Sequence, residues 1–357
     1  MSGQLNYFKL FINKSLTLLS KHGHLSFVVQ NSIIGDKQCS KLRELILKNY
    51  HLKRIHSFPE RDSKRKRVFE SAKMSVAIIT IGSLKSENDR LTLSVWKERD
   101  KINGITTSTL CKDLIGFIDY TRIPLFDHES IQLYKKIKEI SSVPLKNICP
   151  DGFHEGEAHA TKHKNLFSDT KHNASYKKLY SGASIQKYFI SENPSQGSVK
   201  YINTYEIRKQ STLAKYANQP RVVMQGIGSS DYRLVSCVLP SDSHIVNSTN
   251  FMICDHPDFS NIDVCCYLNT KLFNWMFRMF STNSNINNYE ISGLPLLPFS
   301  NNEKKLVNNI YSKLSKYTTE SCKSDLFIQL ESELDSLIYK KFNLSGKDIS
   351  IIESKFK

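Results

Sequence analysis

The sequence predicts an α/β chain in three parts. These are a partial doubly wound sheet over residues 1–100, an α+β region over 146–300 and a helical segment over 301–357, with 101–145 as a linker zone. Three observations lead to this reading. From Leu5 to Ile81, short apolar runs rich in β-branched residues alternate with segments of helical period, the rhythm of a strand–helix–strand crossover. From Tyr176 to Phe299, short mixed strands are punctuated by Pro, Gly and Asn. Beyond Asn301, apolar residues again recur at helical spacing.

In the first part, Leu5, Phe8, Phe11, Ile12, Leu16 and Leu19 share a helical period, and Gly23 is expected to supply a left-handed stop. Leu25–Val29 reads as a parallel strand covered on both faces. Leu42, Leu45 and Ile46 mark a second helix, followed by strands over His51–Phe58 and Ser75–Ile81. Leu91–Val95 is expected to return antiparallel. In the linker zone, Pro124 and Pro144 punctuate the chain and Ile131–Ile140 has a helical period. An open α/β sheet binds its ligand outside the carboxyl ends of its strands, beside a Gly-rich first turn. No Gly-x-Gly-x-x-Gly occurs in the chain, so the first part reads as half of a nucleotide-type domain.

In the second part, strands are expected over 187–190, 221–224, 232–239 and 250–253, and a helical stretch over Cys265–Phe280. Two prolines fix 294–299 as extended. His154, Glu155, Glu157, His159 and His163 invite a metal reading. The His-Glu-x-x-x-His spacing is one residue too long for a zinc-protease helix, and the segment reads as a solvated loop. Gly226-Ile-Gly228 reads as a turn. In the last part, Leu306, Ile310 and Leu314 form one apolar face and Leu330, Leu334, Leu337 and Ile338 another; Ser345 is placed to cap a terminal helix.

The formal net charge is +16, from 50 Lys and Arg against 34 Asp and Glu. Such an excess favours a polyanionic partner, because basic side chains release the counterions condensed on phosphates. The eight cysteines are scattered without a Cys-x-x-Cys pair, which argues against a disulfide framework or zinc ribbon and for a reducing cytoplasm. No apolar run approaches the ~20 residues that cross a bilayer, so no membrane partner is expected.

Leu5 to Ile81 resembles the region after the Asn-Pro-Pro-Tyr motif in adenine-specific DNA methyltransferases of the TaqI-like and type IIG restriction-modification group. The residues that carry the resemblance are Phe8…Phe11-Ile12, Gly23-His24-Leu25-Ser-Phe-Val-Val with Asn31-Ser32, Leu42-Arg43-Glu44, and Val68-Phe69…Ser75-Val-Ala-Ile-Ile. The second part is similar to that family's C-terminal specificity domain. There the landmarks are Lys178-Leu-Tyr-Ser-Gly182 through Lys187-Tyr188, Pro220-Arg221-Val-Val, Asn247-Ser-Thr-Asn, Tyr267-Leu-Asn269-Thr-Lys271-Leu and Gly293-Leu-Pro295.

The resemblance implies an S-adenosylmethionine-dependent methyltransferase-like sheet, a DNA specificity domain and closing helices. It also implies methyl transfer to the exocyclic amine of adenine in double-stranded DNA. The cofactor turn and the catalytic tetrad belong to an upstream catalytic half, so no catalytic, cofactor-binding or metal residue is assigned here, and this chain alone is expected to bind no cofactor. As a bare residue, Phe69 reads first as an aromatic anchor for its loop; the resemblance reverses that order and places it against the flipped adenine. The charge run Arg61, Lys64, Arg65, Lys66 and Arg67 is a candidate phosphate grip. Lys177, Lys178, Lys187, Arg208, Arg221 and Arg233 are candidate DNA contacts in the second part. Two other functions compete: a non-catalytic DNA-binding specificity subunit, and a basic RNA-binding protein.

Overall fold

The computed structural model describes residues 6–58, 67–72, 74–96, 105–228, 232–282 and 285–356. The chain forms two units, Met1–Lys136 with Arg278–Ser284, and Ile137–Phe277 with Asn285–Lys357.

Unit 1 starts with α1 (Tyr7–Thr17), whose first turn is capped by the Asn6 side chain accepting from Phe8 N. Ile12 and Leu16 are its buried stripe. The helix ends at Thr17 without help from Gly23, which is not among the residues with positive φ. Next come β1 (His24–Gln30), α2 (Ser40–Asn49), β2 (His51–Phe58), β3 (Val76–Gly82), β4 (Arg90–Val95) and β5 (Ile105–Leu110). They build one sheet in the order β1-β3-β2-β4-β5. Because β3 runs antiparallel to both β1 and β2, those two are parallel to each other, and the crossover through α2 spans the inserted β3.

β4 runs antiparallel to β3, as expected of a returning strand, and pairs with parallel β2 and antiparallel β5. One expectation is corrected in this sheet. β1 is an edge strand buried on one face only: Val29 turns into the core while Val28 is 52% exposed. An apolar run in a strand is compatible with burial on two faces, but at a sheet edge only one face is covered.

The covered face carries Leu52, Ile55, Ala77, Ile79, Ile81, Leu91 and Leu93, packed with Ile12 and Leu16 of α1 and Leu42, Ile46 and Leu47 of α2. Arg43 of α2 is wholly internal, donating to the carbonyls of Ile33, Tyr120 and Thr121. A late segment also belongs here. Phe280 stacks edge-on at 5.1 Å against Tyr134 of α3 (His128–Lys138), and Met279 O accepts from Leu125 N at 2.7 Å.

Unit 2 contains two four-stranded sheets. The first joins β6 (His154–Glu155), β10 (Arg221–Gln225), β11 (Ser236–Leu239) and β13 (Thr249–Met252) in the order β11-β10-β13-β6. The second joins β7 (Phe167–Ser168), β8 (Tyr176–Tyr180), β9 (Lys200–Asn203) and β12 (His244–Ile245) in the order β12-β8-β9-β7. Residues 187–190 are a tight turn rather than a strand, with Tyr188 at φ 71° and its ring buried. The expected 232–239 strand forms only from Ser236.

The turn after β12 is gripped closely. A Cβ at Gly156 would lie 2.2 Å from Val246 O, and one at Gly182 would lie 2.6 Å from Ser248 O, so only glycine fits at either position. α4 (Asn261–Asn269) and α5 (Lys271–Arg278) supply two buried amides. Asn269 exchanges hydrogen bonds with Ser236 N and O, and Asn274 accepts from Arg233 N and Leu234 N. These side chains satisfy backbone groups that a further strand would otherwise have to pair.

α6 (Asn301–Leu314), α7 (Asp325–Lys341) and α8 (Gly346–Glu353) close the chain. Ser345 and Asp348 form the reciprocal cap expected of them. On α6 the inward stripe is Val307, Ile310 and Leu314, and Leu306 faces out.

The two sheets of unit 2 share one buried carboxylate. Glu157 Oε1 accepts from Arg221 Nη2 of β10 at 2.8 Å and from Ile245 N of β12 at 3.3 Å, and it lies 2.8 Å from His244 Nδ1. All three side chains are excluded from solvent. Burial by itself would raise the Glu157 pKa, but the His244 hydrogen bond and the Arg221 charge outweigh it and hold it below the usual carboxylate range. Glu157→Ala would strand Arg221 in the interior and is expected to cost about 3–5 kcal/mol in urea denaturation at neutral pH. A depressed folded-state pKa gives stability that is present above the unfolded value and lost as pH falls through the folded one. The stability gap between the native chain and Glu157→Gln should therefore shrink as pH falls below about 4.5.

Candidate nucleic-acid interface

The candidate residues divide by what the fold has already done with them. Arg221 is not available to DNA, because its side chain has no solvent exposure and it serves the Glu157 carboxylate. Its guanidinium also lies 4.7 Å from the centre of the Phe251 ring. Lys187 is largely withdrawn as well: its ammonium is 2.8 Å from Glu331 and 3.4 Å above the Tyr232 ring, with 17% of the side chain exposed. Arg233 is half-buried, its guanidinium 5.7 Å from the Phe277 ring. These three positions are structural in character, and their sequence neighbourhoods gave no warning because periodicity does not report a buried partner.

Lys177, Lys178 and Arg208 remain at the surface. Lys177 lies 3.6 Å from Asp242, Lys178 is 2.7 Å from Glu192, and Arg208 donates to Asn218. Lys177 and Lys178 end a basic stretch. The sequence of residues 158–178 holds Lys162, Lys164, Lys171, Lys177 and Lys178 and one acid, Asp169. Lys162, Lys164 and Lys171 are exposed.

Within this stretch the histidines are held by local turns. His163 Nδ1 accepts from His159 N at 3.0 Å, and burial lowers the His163 pKa. With Glu157 committed to Arg221 and His244, the metal reading finds no support, and no group of potential metal ligands occurs among the described residues.

In unit 1, Phe69 lies on the turn between β2 and β3, 47% exposed and outside the hydrophobic core. Arg67 donates to Glu70 O on the same turn. Arg61, Lys64, Arg65 and Lys66 lie outside the described residues.

Sequence reading missed the second face of the unit 1 sheet. Ser26, Val28, Ile78, Thr80, Arg54, His56, Phe58, Thr92, Ser94, Thr106 and Ser108 alternate with the core residues and share this face by register. It is open, since Ser26, Val28, Arg54, Thr106 and Ser108 are exposed and most of the others are half-buried. At its rim, just past the carboxyl end of β4, Trp96 stacks on Phe58 with ring centres 5.2 Å apart. The Trp96 indole N–H donates to His56 Nδ1 at 3.2 Å, and Trp96 N donates to Ser57 O at 2.9 Å. The period-2 run Arg54-x-His56-x-Phe58 is the signal that marks this face in the sequence.

Two cavities, one lined by Arg90, Asp113 and Lys135 and one by Cys149, Phe153 and Asn288, measure about 70 and 200 Å³.

Residues 1–64 match the model of the Eco57I restriction-modification methylase family, and residues 177–298 match that of the TaqI-like C-terminal specificity domain. No curated protein matches. Among solved structures, the type IIL restriction-modification enzyme MmeI in complex with DNA aligns over 99% of this chain and 52% of its own, with a TM-score of 0.64 and 11% identity. The type IIG restriction endonuclease BpuSI aligns over 100% of this chain and 49% of its own at 10% identity, with a TM-score of 0.40. At such identities a likeness shows fold alone, and the MmeI alignment carries it. The chain spans about half the length of these two enzymes. Its first 64 residues are thus similar to restriction-modification methylases, and residues 177–298 to a TaqI-like C-terminal specificity domain.

Proposed function

We propose that this chain is the DNA-binding and target-recognition part of a site-specific adenine DNA methyltransferase. An upstream catalytic half, on the same or a separate chain, completes the enzyme. The observation that carries this reading is the overlap of a specificity-domain match over 177–298 with a +16 chain whose basic stretch leads into that domain. S-adenosylmethionine would bind to the completing half, and the methyl group would pass to the exocyclic amine of an adenine turned out of the duplex. Phe69 suits the base pocket because it is exposed in the connection that leaves the carboxyl end of β2, the side of an α/β sheet where ligands bind.

Unit 1 also offers a surface for the completing half. Among the described residues, β1 has β3 on one side and no strand on the other, leaving N–H and C=O groups along that edge without a ladder partner. On α1, Tyr7 is 80%, Phe11 63% and Leu18 70% exposed, and these residues fall on one stripe. An apolar helix stripe next to a bare strand edge suits a protein partner that adds a strand.

Three outcomes test this reading. Duplex DNA should bind the chain with strong salt dependence, and replacing Lys162, Lys164 and Lys171 by Ala should flatten log affinity against log salt by about one unit for each of these lysines that meets a phosphate. Affinity that is constant from low to physiological salt overturns it. A fragment with the Gly-rich turn and Asn-Pro-Pro-Tyr should co-purify with this chain and confer methyl transfer to adenine in duplex DNA, whereas the chain alone should show no turnover. In the completed enzyme, Phe69→Ala should release the flipped base. Loss of about 1–3 kcal/mol of stacking would be read from 2-aminopurine fluorescence at the target position; an unchanged signal with unchanged methylation would make Phe69 a packing residue.

A further inference from the structure

We infer that the open face of the unit 1 sheet is a second nucleic-acid site, on which an unpaired nucleobase stacks against Trp96 at the carboxyl end of β4. The inference deepens the DNA-recognition reading and rests on it. Three features of this face point to nucleic acid. The first is charge. The strand residues that share it by register include the cations Arg54 and Arg90, with His24 and His56 beside them, and no carboxylate, so the polarity matches a phosphate backbone. The second is hydrogen bonding. Ser26, Thr80, Thr92, Ser94, Thr106 and Ser108 set a field of hydroxyls across the sheet, with Ser26 and Thr80 3.3 Å apart and Ser94 and Thr106 3.2 Å apart.

The third feature is the aromatic pair. Neither Phe58 nor Trp96 belongs to the hydrophobic core of unit 1, and both are half-buried. Their rings are nevertheless fixed, by their mutual stack and by the hydrogen bond from the indole to His56. Rings held in place without serving the core give stacking area at little entropic cost. Open sheets that bind single strands combine the same three elements: a basic track, polar groups and aromatic platforms.

The chemistry also separates this region from the β1 edge. There the exposed residues are Tyr7, Phe11, Leu18 and Val28, an apolar set suited to protein. Around β2, β4 and β5, the outward residues are mainly cationic, hydroxyl-bearing or aromatic, with Leu110 as an aliphatic exception, which makes a poor lining for a protein core.

The chain contains a built-in reporter. Of its two tryptophans, Trp275 is fully buried, so the Trp275→Phe variant leaves Trp96 as the only tryptophan, read by excitation at the red edge where tyrosine does not absorb. A short single-stranded oligodeoxynucleotide is expected to quench this emission saturably. Trp96→Ala should weaken that binding roughly five- to a hundredfold, the range of one stacked base, and Trp96→Phe should retain most of it. Arg54→Ala, at an exposed position, should reduce the salt dependence of single-strand binding.

Absent quenching, with the affinity of Trp96→Ala unchanged, overturns the inference; intact salt-dependent duplex binding in the same samples then leaves the recognition reading standing. Quenching by the purified upstream fragment that also blocks the oligonucleotide assigns the face to protein and overturns the inference as well. A chain that binds neither single-stranded nor duplex DNA overturns both readings.

Discussion

A carboxylate with no access to water must find its partners inside the protein, and Glu157 finds them on two sheets. Arg221 reaches it from the first residue of β10, and His244 and the Ile245 amide from β12. A buried ion pair is weak evidence of net stability, because desolvation offsets much of the attraction. Its effect is positional. Any slip of β10 against β12 would uncouple a buried charge from its counter-charge, so the register between the two sheets is set by the penalty for leaving it. The glycines on either side act in the same direction. Gly156 and Gly182 press on the backbone of 246–248 so closely that no side chain fits, and that turn carries Asn247, whose Oδ1 accepts from Ala160 N.

This arrangement explains what the sequence landmarks of the second part do. Gly182, Arg221, Asn247 and Asn269 all take part in internal hydrogen bonds or close approaches. They are recognisable because the scaffold demands those residue types: an amide that can both donate and accept at Asn269, a guanidinium at Arg221. A residue that reads DNA is under a different demand, set by the target sequence. Motif-like positions in this domain therefore point to scaffold, and the exposed cations lie among residues without a pattern, such as Lys162, Lys164 and Lys171. Reading Arg221 as a DNA contact failed for this reason, since charge in a sequence does not reveal whether a carboxylate is buried beside it.

In unit 1 the elements were readable and their pairing was not. Apolar periodicity located α1, β1, α2, β2 and β3 to within a few residues, because each element buries one stripe or face. The insertion of an antiparallel β3 between parallel β1 and β2 leaves no such trace, since β3 is buried by its neighbours whichever way it runs. The same limit concealed β5, where Thr106 to Thr109 carries only hydroxyl side chains. Its inward threonines, Thr107 and Thr109, are buried against β4 without producing an apolar alternation.

The charge distribution of the unit 1 sheet follows from a constraint that applies to any strand with one covered face. Every second residue is assigned to the core and is held to apolar or internally bonded side chains, so whatever a strand offers to a partner is confined to the other half of its positions. In β2 the core positions are Leu52, Ile55 and Ser57, the last donating to Asn31 Oδ1 at 2.9 Å, and the outward ones are Arg54, His56 and Phe58. Burial and the nearby Arg54 both lower the His56 pKa, which favours the neutral ring that accepts from the Trp96 indole. Protonation would remove that acceptor, so the charge of Arg54 helps keep the aromatic pair in place. A cation beside a neutral imidazole and two stacked rings is thus a coupled set, in which the group that attracts phosphate also holds the stacking surface ready.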